Sequence, residues 1–359
     1  MIRCLIPVFV LTILILDVEA LGQEAAPYGD RENQYEQFFD QKIRPFWKTA
    51  TTKIVQSHDG KDLAYRVYPS NPAHGKTIGN ILIVHGWCEG MPKYSETIWD
   101  FNNAGYNVVI YEQRGHGYSY RETDKKGVGH VMDFGSYIKD VNAVASQLLD
   151  PELPRLLLGH SMGGLISLGA LQQYPDLFKA ALINVPMLET KYPMPGILAK
   201  PLLAIWCFGN DEDSFGPFQK APPPVPYKFN KWSGTGSEAR FKMVENQLVE
   251  EGYDQQRRIK GASCAWAKTT ITYQEEINAK ESIAKIKIPV LMTQAGQDEY
   301  VKPEAQNRFC SELEECRLIR FDKSRHEIYR SKDESRKRWL TEAIAFFNQF
   351  TEQQSKKIQ

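Results

Sequence analysis

Residues 155–164 read RLLLGHSMGG, and this stretch decides how the rest of the chain is interpreted. The apolar run Arg155–Gly159 predicts a buried strand, and Met162–Tyr174 predicts a helix, with Ser161 at the junction. The junction fits Gly-x-Ser-x-Gly in the strand–turn–helix context that this motif requires. So tight a turn projects the serine hydroxyl from the sheet edge, and Gly159 and Gly163 avoid a collision across it. We therefore predict that Ser161 is a nucleophile.

Short runs that are apolar on both faces recur on either side of this turn and alternate with helical stretches. Such runs are typical of buried parallel strands, and the alternation predicts an α/β fold with a mostly parallel, doubly wound sheet. The predicted strands are Asn80–His85, Asn107–Tyr111, Arg155–Gly159, Ala180–Val185, Ile288–Gln294 and Arg317–Phe321; the predicted helices are Arg31–Trp47, Lys93–Asn103, Phe134–Leu149 and Met162–Tyr174. The first two strands, Thr52–Ser57 and Asp62–Tyr68, are joined by the hairpin signal Asp59-Gly60.

The alternation stops near Pro186 and resumes at Ile288. Because the sheet pattern continues afterwards, we predict a cap, residues 187–287, inserted between the sixth strand and the next one. The core then comprises residues 21–186 and 288–350, and residues 351–359 form a polar C-terminal tail. We see no internal repeat.

The chain has 359 residues, with 44 basic and 44 acidic side chains. This balance lacks the basic footprint of a nucleic-acid-binding protein, so no nucleic-acid partner is expected. Residues 1–20 differ: Arg3 precedes an apolar run too short to span a bilayer, and Val18-Glu19-Ala20 offers small residues for cleavage. We predict a signal peptide and export to the periplasm or the cell exterior, with an uncut membrane anchor as the alternative.

Five cysteines follow the predicted signal peptide, so at least one thiol is free or paired between chains. Cys310 and Cys316 flank a predicted turn, and an oxidising compartment favours a disulfide between them. Cys207 and Cys264 both lie in the cap and form a second candidate pair. Cys88 is then the expected free thiol.

A serine nucleophile needs a base and an acid, which follow it in this order: Ser, acid, His. His326 is the only histidine after Ser161, and it comes just past a strand. Asp298 lies a short loop beyond the preceding strand, where a carboxylate could orient the imidazole. Glu299 is its neighbour and competes for the role. We predict a catalytic triad of Ser161, Asp298 and His326.

Two backbone N–H groups are predicted to form the oxyanion hole. One belongs to Met162, the residue after the nucleophile. The other belongs to Trp87, because Gly86 lets the backbone turn directly after an early strand. His85 and His160 are expected to be structural, and no metal-ligand spacing is visible.

With these residues assembled, the chain resembles the lysophospholipase and monoacylglycerol lipase group of the α/β-hydrolase superfamily over residues 50 to 350. The resemblance rests on five stretches: HGWCEG (85–90), EQRGHGYS (112–119), GHSMGG (159–164), AGQDEYV (295–301) and HEIYRSKDESR (326–336). It implies an α/β-hydrolase fold, hydrolysis of an ester with a single acyl chain through an acyl-enzyme intermediate, and no cofactor. Glu112 stands where the group usually has Asp; in the family that residue braces a loop.

Two other functions remain open. A proline-iminopeptidase type of aminopeptidase uses the same triad and needs cap acids for the substrate amine, for which Asp211, Glu212 and Asp213 are candidates. A non-catalytic binding protein on this scaffold is the third interpretation.

The stretch from Pro193 to Phe208 is unusually apolar for a segment outside the sheet. It either packs on the core as a cap helix broken at Pro201, or it lines an acyl-chain tunnel and touches membranes or lipid aggregates. In the second case Leu203 and Trp206 contact the lipid substrate.

Overall fold

The computed structural model describes residues 30–71, 75–191, 196–216, 225–254 and 257–355. The predicted signal peptide, residues 1–20, lies outside the described residues, as do residues 193–195 at the start of the apolar segment Pro193–Phe208. Within the described part of the chain, no helix has both the length and the apolar character that a membrane span requires.

Eight strands form one sheet in the order β1-β2-β4-β3-β6-β7-β9-β10. The strands are β1 Lys53–Gln56, β2 Asp62–Tyr68, β3 Gly79–Val84, β4 Tyr106–Tyr111, β6 Arg155–His160, β7 Ala180–Asn184, β9 Val290–Ala295 and β10 Cys316–Phe321. Only β2 runs against its neighbours; the other pairs are parallel. The predicted mostly parallel sheet is confirmed. Two short strands, β5 Val128–Gly129 and β8 Gly261–Ala262, pair separately.

Helices flank this sheet and bury its apolar strands, as β3 illustrates: all six of its residues are buried. The helices are α1 Tyr35–Phe38, α2 Arg44–Trp47, α3 Ser95–Asn103, α4 Gly135–Leu148, α5 Met162–Gln173, α6 Gly196–Phe208, α7 Glu238–Glu250, α8 Cys264–Ile277, α9 Lys280–Ile283, α10 Pro303–Glu312 and α11 Asp333–Ser355. Phe101 of α3 contacts Trp339 and Phe347 of α11, and α5 packs against both α4 and α8.

The register of the parallel strands brings their carboxyl ends to one edge. His160 at the end of β6 is level with Asn184 of β7, which is level with Thr293 of β9. Loops that leave these strands therefore converge, which is where ligands bind in open α/β sheets.

Three elements differ from the sequence prediction. Helix α6 continues through Pro201, because a proline removes only one backbone hydrogen bond and the other turns hold the helix. Helix α11 runs on to Ser355, so residues 351–355 of the predicted tail are helical. The predicted N-terminal helix is a succession of turns: a 3-10 turn (Glu32–Gln34), α1, a π-helical turn (Phe39–Ile43) and α2.

Helices α6 and α7 lie in the segment inserted between β7 and β9. Helix α8 packs against α5. The side chain of Ile277 lies next to Gly169, and the Ile277 carbonyl accepts a hydrogen bond from the side chain of Gln172. The last part of the segment 187–287 thus lies beside the core helices.

Candidate active site

Ser161 lies in a strained turn between β6 and α5. Its φ is +53°, a conformation that side-chain-bearing residues rarely adopt and that clusters at functional sites. A Cβ at Gly159 would lie 2.3 Å from the hydroxyl oxygen of Ser167, and one at Gly163 would lie 2.1 Å from the carbonyl oxygen of Val84. Both positions therefore require glycine, as the sequence predicts.

His326 and Asp298 are both buried and form a direct pair. The Nδ1 atom of His326 lies 2.6 Å from one carboxylate oxygen of Asp298. The other oxygen accepts hydrogen bonds from the backbone N–H groups of Tyr300 (2.7 Å) and Val301 (3.0 Å). Burial alone would raise the pKa of Asp298, but His326 and these N–H groups lower it below its ordinary value. Glu299, the competing acid, is exposed.

The predicted oxyanion donors flank this site. Met162 is the first residue of α5, so its N–H has no acceptor within the helix. Trp87 follows β3, and its ring packs against that of Trp266 at a tilt of 35°, with centroids 3.9 Å apart. The loop that carries Trp87 is fixed by Glu89, which accepts a hydrogen bond from the Gly86 N–H at 2.6 Å.

Of the three other histidines in these motifs, His85 and His160 lie next to the predicted site residues and are fully buried. His85 accepts a hydrogen bond from the Gln113 N–H at 3.1 Å. The Nδ1 atom of His160 lies 2.8 Å from the side-chain amide nitrogen of Asn184 and 3.2 Å from its backbone carbonyl oxygen. Burial lowers the pKa of His160 to about 4, so its ring is neutral at pH 7.

A cavity of about 1470 Å³ opens above Ser161 and His326, which both line it. This is larger than the roughly 300–1,000 Å³ typical of small-ligand sites. Much of its wall is apolar and comes from the inserted segment, residues 187–287, including α8: Met187, Leu202, Leu203, Phe241, Leu248, Trp266 and Ile271. The predicted substrate residue Leu203 is among them.

Trp206, the other predicted substrate residue, is not among the described residues that line the cavity. Its ring is exposed, and its indole N–H donates to the Phe215 carbonyl at 3.1 Å. That hydrogen bond holds the ring on the outer side of α6.

The cysteines pair as the sequence predicts. Cys310–Cys316 joins α10 to β10, and Cys207–Cys264 joins the end of α6 to the start of α8. Cys88 is free and lines the cavity.

Glu112 stands where the resembling group usually has Asp. Its carboxylate connects two loops to Tyr253 of the inserted segment. It accepts hydrogen bonds from the Tyr118 N–H (2.6 Å), the Met91 N–H (3.3 Å) and the hydroxyl of Tyr253.

One group of side chains has the residue types of a cation site, but its carboxylates are already paired with an arginine. Polar atoms of His58, Asp59 and Asp140 lie within 4.8 Å of one another. The guanidinium of Arg114 already donates to Asp59 at 2.9 Å and to Asp140 at 2.8 Å. The group is therefore a structural ion pair.

The fold and this geometry define the class: a serine hydrolase of the α/β-hydrolase fold. The family described as serine aminopeptidase, S33, matches residues 75–333, and the chain belongs to this hydrolase family.

Two comparisons describe its relatives. Lysophospholipase L2 of Escherichia coli K12 is 26% identical over 337 residues, which covers 91% of this chain and 96% of that protein. A monoacylglycerol lipase of Mycolicibacterium smegmatis is 32% identical over 110 residues, 30% of this chain and 38% of that protein. Among solved structures, a soluble variant of monoglyceride lipase from Saccharomyces cerevisiae, in complex with a substrate analog, has a TM-score of 0.64 at 17% identity; the match covers 84% of this chain and 96% of that chain. That likeness concerns the fold.

Sequence reasoning missed two features of the site. It did not find that residues 225–234 and α7 supply cavity wall, because no local pattern marks such contacts. It also missed the buried ion pairs around Glu89 and Lys93, because Glu327 meets these residues only in the folded chain.

Proposed function

We propose that this protein hydrolyses the ester bond of lipids with one acyl chain, with lysophospholipids as the principal substrates. The observation that carries the proposal is the position of Ser161 and the His326–Asp298 pair at a large cavity with an apolar wall. The similarity to lysophospholipase L2 along nearly the whole chain supports the same substrate class.

In the proposed reaction, His326 takes the proton of the Ser161 hydroxyl as its oxygen attacks the ester carbonyl carbon. The N–H groups of Met162 and Trp87 stabilise the oxyanion of the tetrahedral intermediate. His326 then protonates the leaving glycerol oxygen, and the acyl chain stays on Ser161. Water, deprotonated by His326, attacks this acyl-enzyme and releases the fatty acid. Asp298 stabilises the imidazolium in both steps.

The charges of the cavity favour a phosphate-bearing head group over the amine of a peptide. Its described wall carries six cationic and four anionic side chains: Lys93, Lys191, Lys228, Arg257, Arg258 and Arg330 against Glu89, Glu245, Glu299 and Glu327. The acids suggested for an aminopeptidase, Asp211, Glu212 and Asp213, are not among the described lining residues. They lie near Lys125 and Lys268 instead.

We also propose export and contact with lipid surfaces. Two disulfides favour an oxidising compartment, in keeping with a signal peptide over residues 1–20. Four apolar side chains of α6 are exposed, and such a patch suits a membrane surface: Leu202, Ile205, Trp206 and Phe208.

The test is a substrate panel with one acyl chain throughout. Purified protein is assayed against a lysophospholipid, the matching monoacylglycerol and an aminoacyl arylamide. We expect kcat/KM to be highest for the lysophospholipid and turnover of the arylamide to be undetectable. Preferred turnover of the arylamide would contradict the proposal and favour the aminopeptidase. A preference for the monoacylglycerol would contradict the head-group assignment alone.

A further inference from the structure

A buried network of ion pairs joins the loop that carries Trp87 to the loop that carries His326. The ammonium of Lys93 lies 2.6 Å from a carboxylate oxygen of Glu89 and 2.6 Å from one of Glu327, the residue after His326. Glu89 also accepts hydrogen bonds from the Gly86 N–H (2.6 Å) and from the hydroxyl of Tyr329 (3.0 Å). One cation therefore connects both loops through two carboxylates.

All three side chains are largely shielded from water, and their pKa values keep them charged. Burial alone would raise the pKa of Glu89 and of Glu327, but the Lys93 ammonium outweighs it, so both pKa values lie below the ordinary range. Burial would lower the pKa of Lys93, but Glu327 and Glu89 raise it. Arg330 pairs with the second oxygen of Glu327 at 2.7 Å and balances the remaining charge.

The sheet itself cannot provide this connection. Strand β3, which leads to Trp87, and β10, which leads to His326, are separated by β6, β7 and β9. Their terminal loops share no backbone ladder, so their spacing depends on side chains. The hydrogen bond from the Tyr329 hydroxyl to Glu89 crosses between the two loops, and Lys93 is the cation that pairs with a carboxylate of each loop.

We propose that Lys93 is a positioning residue that fixes the oxyanion loop, residues 85–90, relative to His326. The inference rests on the proposed function, because the reaction needs the Trp87 N–H and the His326 imidazole at the same substrate ester. A displacement of about 1 Å between such groups can reduce a rate about 100-fold.

The principal test replaces Lys93 with methionine and measures hydrolysis of a soluble acetyl ester and the rate of Ser161 phosphonylation by a fluorophosphonate. We expect kcat and the phosphonylation rate to fall together by roughly 10- to 100-fold, with KM within about twofold. Lys93→Arg, which keeps a cation, should retain most activity. Lys139→Met is the matched control, because the pair of Lys139 with Asp133 is exposed and 4.0 Å long. Parent-like kcat in folded Lys93→Met protein would overturn the proposal.

A second variant separates positioning from folding. Lys93→Met alone leaves two buried carboxylates with less compensation and lowers stability. The double variant Lys93→Met, Glu327→Gln removes one cation and one anion, so the network regains its charge balance without regaining the bridge. We expect its Tm to recover while kcat stays low; recovery of both would show that Lys93 is merely structural. If the parent protein hydrolyses no ester, the proposed function fails, and that result is distinct from failure of this inference.

Discussion

Helices α6 and α7 each have 13 residues and both contribute to the wall of the cavity, yet they are held in opposite ways. Helix α7 is fixed by buried charges: Arg240, 1% exposed, pairs with Glu32, Glu96 and Asp333. Helix α6 exposes apolar side chains and is secured by the Cys207–Cys264 disulfide. Charge pairs specify a single position, since separating them leaves buried charges uncompensated. Apolar contacts are non-directional, so they restrict the position of a helix less than charge pairs do.

The fixed wall depends on the N-terminal segment Arg31–Trp47, which lies before the region matched by the family. Glu32 accepts from the hydroxyl of Ser237, the N-cap of α7, at 2.7 Å, and Arg44 pairs with Glu250 at its other end. Tyr35, Phe39 and Ile43 form an apolar cluster with Met243. The segment therefore holds α7 along its whole length, and we interpret α7 as the rigid wall and α6 as the adaptable one.

The largest effect should follow loss of the Arg240 guanidinium. Arg240→Met leaves three acids without this partner, and breaking a buried ion pair costs about 3–5 kcal/mol. We expect the free energy of unfolding, measured with urea, to fall by that amount, and activity on acetyl and long-chain esters to fall alike. Lys242→Met is the control on the same helix, because its pair with Glu238 is exposed. An unchanged urea midpoint in Arg240→Met would mean that α7 is not held by these charges.

The next effect distinguishes the two faces of α6. Leu203 lines the cavity, so Leu203→Asp should reduce kcat/KM for long-chain esters by about 10-fold or more, because a buried apolar contact of about 1.5–3 kcal/mol is lost. Acetyl esters, which cannot reach it, should be affected little. Trp206→Ala should leave kcat/KM for soluble esters unchanged. It should lower the fraction of the protein that co-sediments with anionic lipid vesicles. Equal losses across chain lengths in Leu203→Asp would contradict a role in acyl binding.

The smallest effect concerns Cys88, which lines the cavity and reports on its hydration. The surrounding protein raises the pKa of its thiol to about 12, although the side chain is reachable from the cavity. Because the thiolate is the reactive form, alkylation by iodoacetamide should keep rising about tenfold per pH unit above pH 9, where an ordinary thiol levels off. A plateau near pH 9 would mean that the cavity wall around Cys88 is well hydrated. The same assay on the double variant Cys207→Ser, Cys264→Ser, which leaves no unpaired partner thiol, tests whether releasing α6 hydrates the surroundings of Cys88.

The contrast also shows what the sequence could predict. The sheet could be predicted from the sequence, because hydrophobic periodicity is a local signal. The places of Ser161, Asp298 and His326 in the fold could also be predicted, because their order along the chain follows the motif and parallel strands end at one edge of the sheet. Which face of α6 lines the cavity could not be predicted. Leu203 and Trp206 are both apolar residues of the same helix, and only the folded structure shows that the Phe215 carbonyl binds the Trp206 indole. The Lys93 network could not be predicted either, because Glu89 and Glu327 are 238 residues apart and meet only in the folded chain.

The most direct measurement is intact-mass and peptide analysis of the protein quenched during turnover of an activated long-chain ester. We predict one acyl group per chain, located on Ser161, and absent in Ser161→Ala protein, whose kcat should fall by orders of magnitude while its Tm stays at the parent value. An acyl group on another residue, or parent-like turnover by Ser161→Ala, would contradict the assignment of Ser161 as the nucleophile.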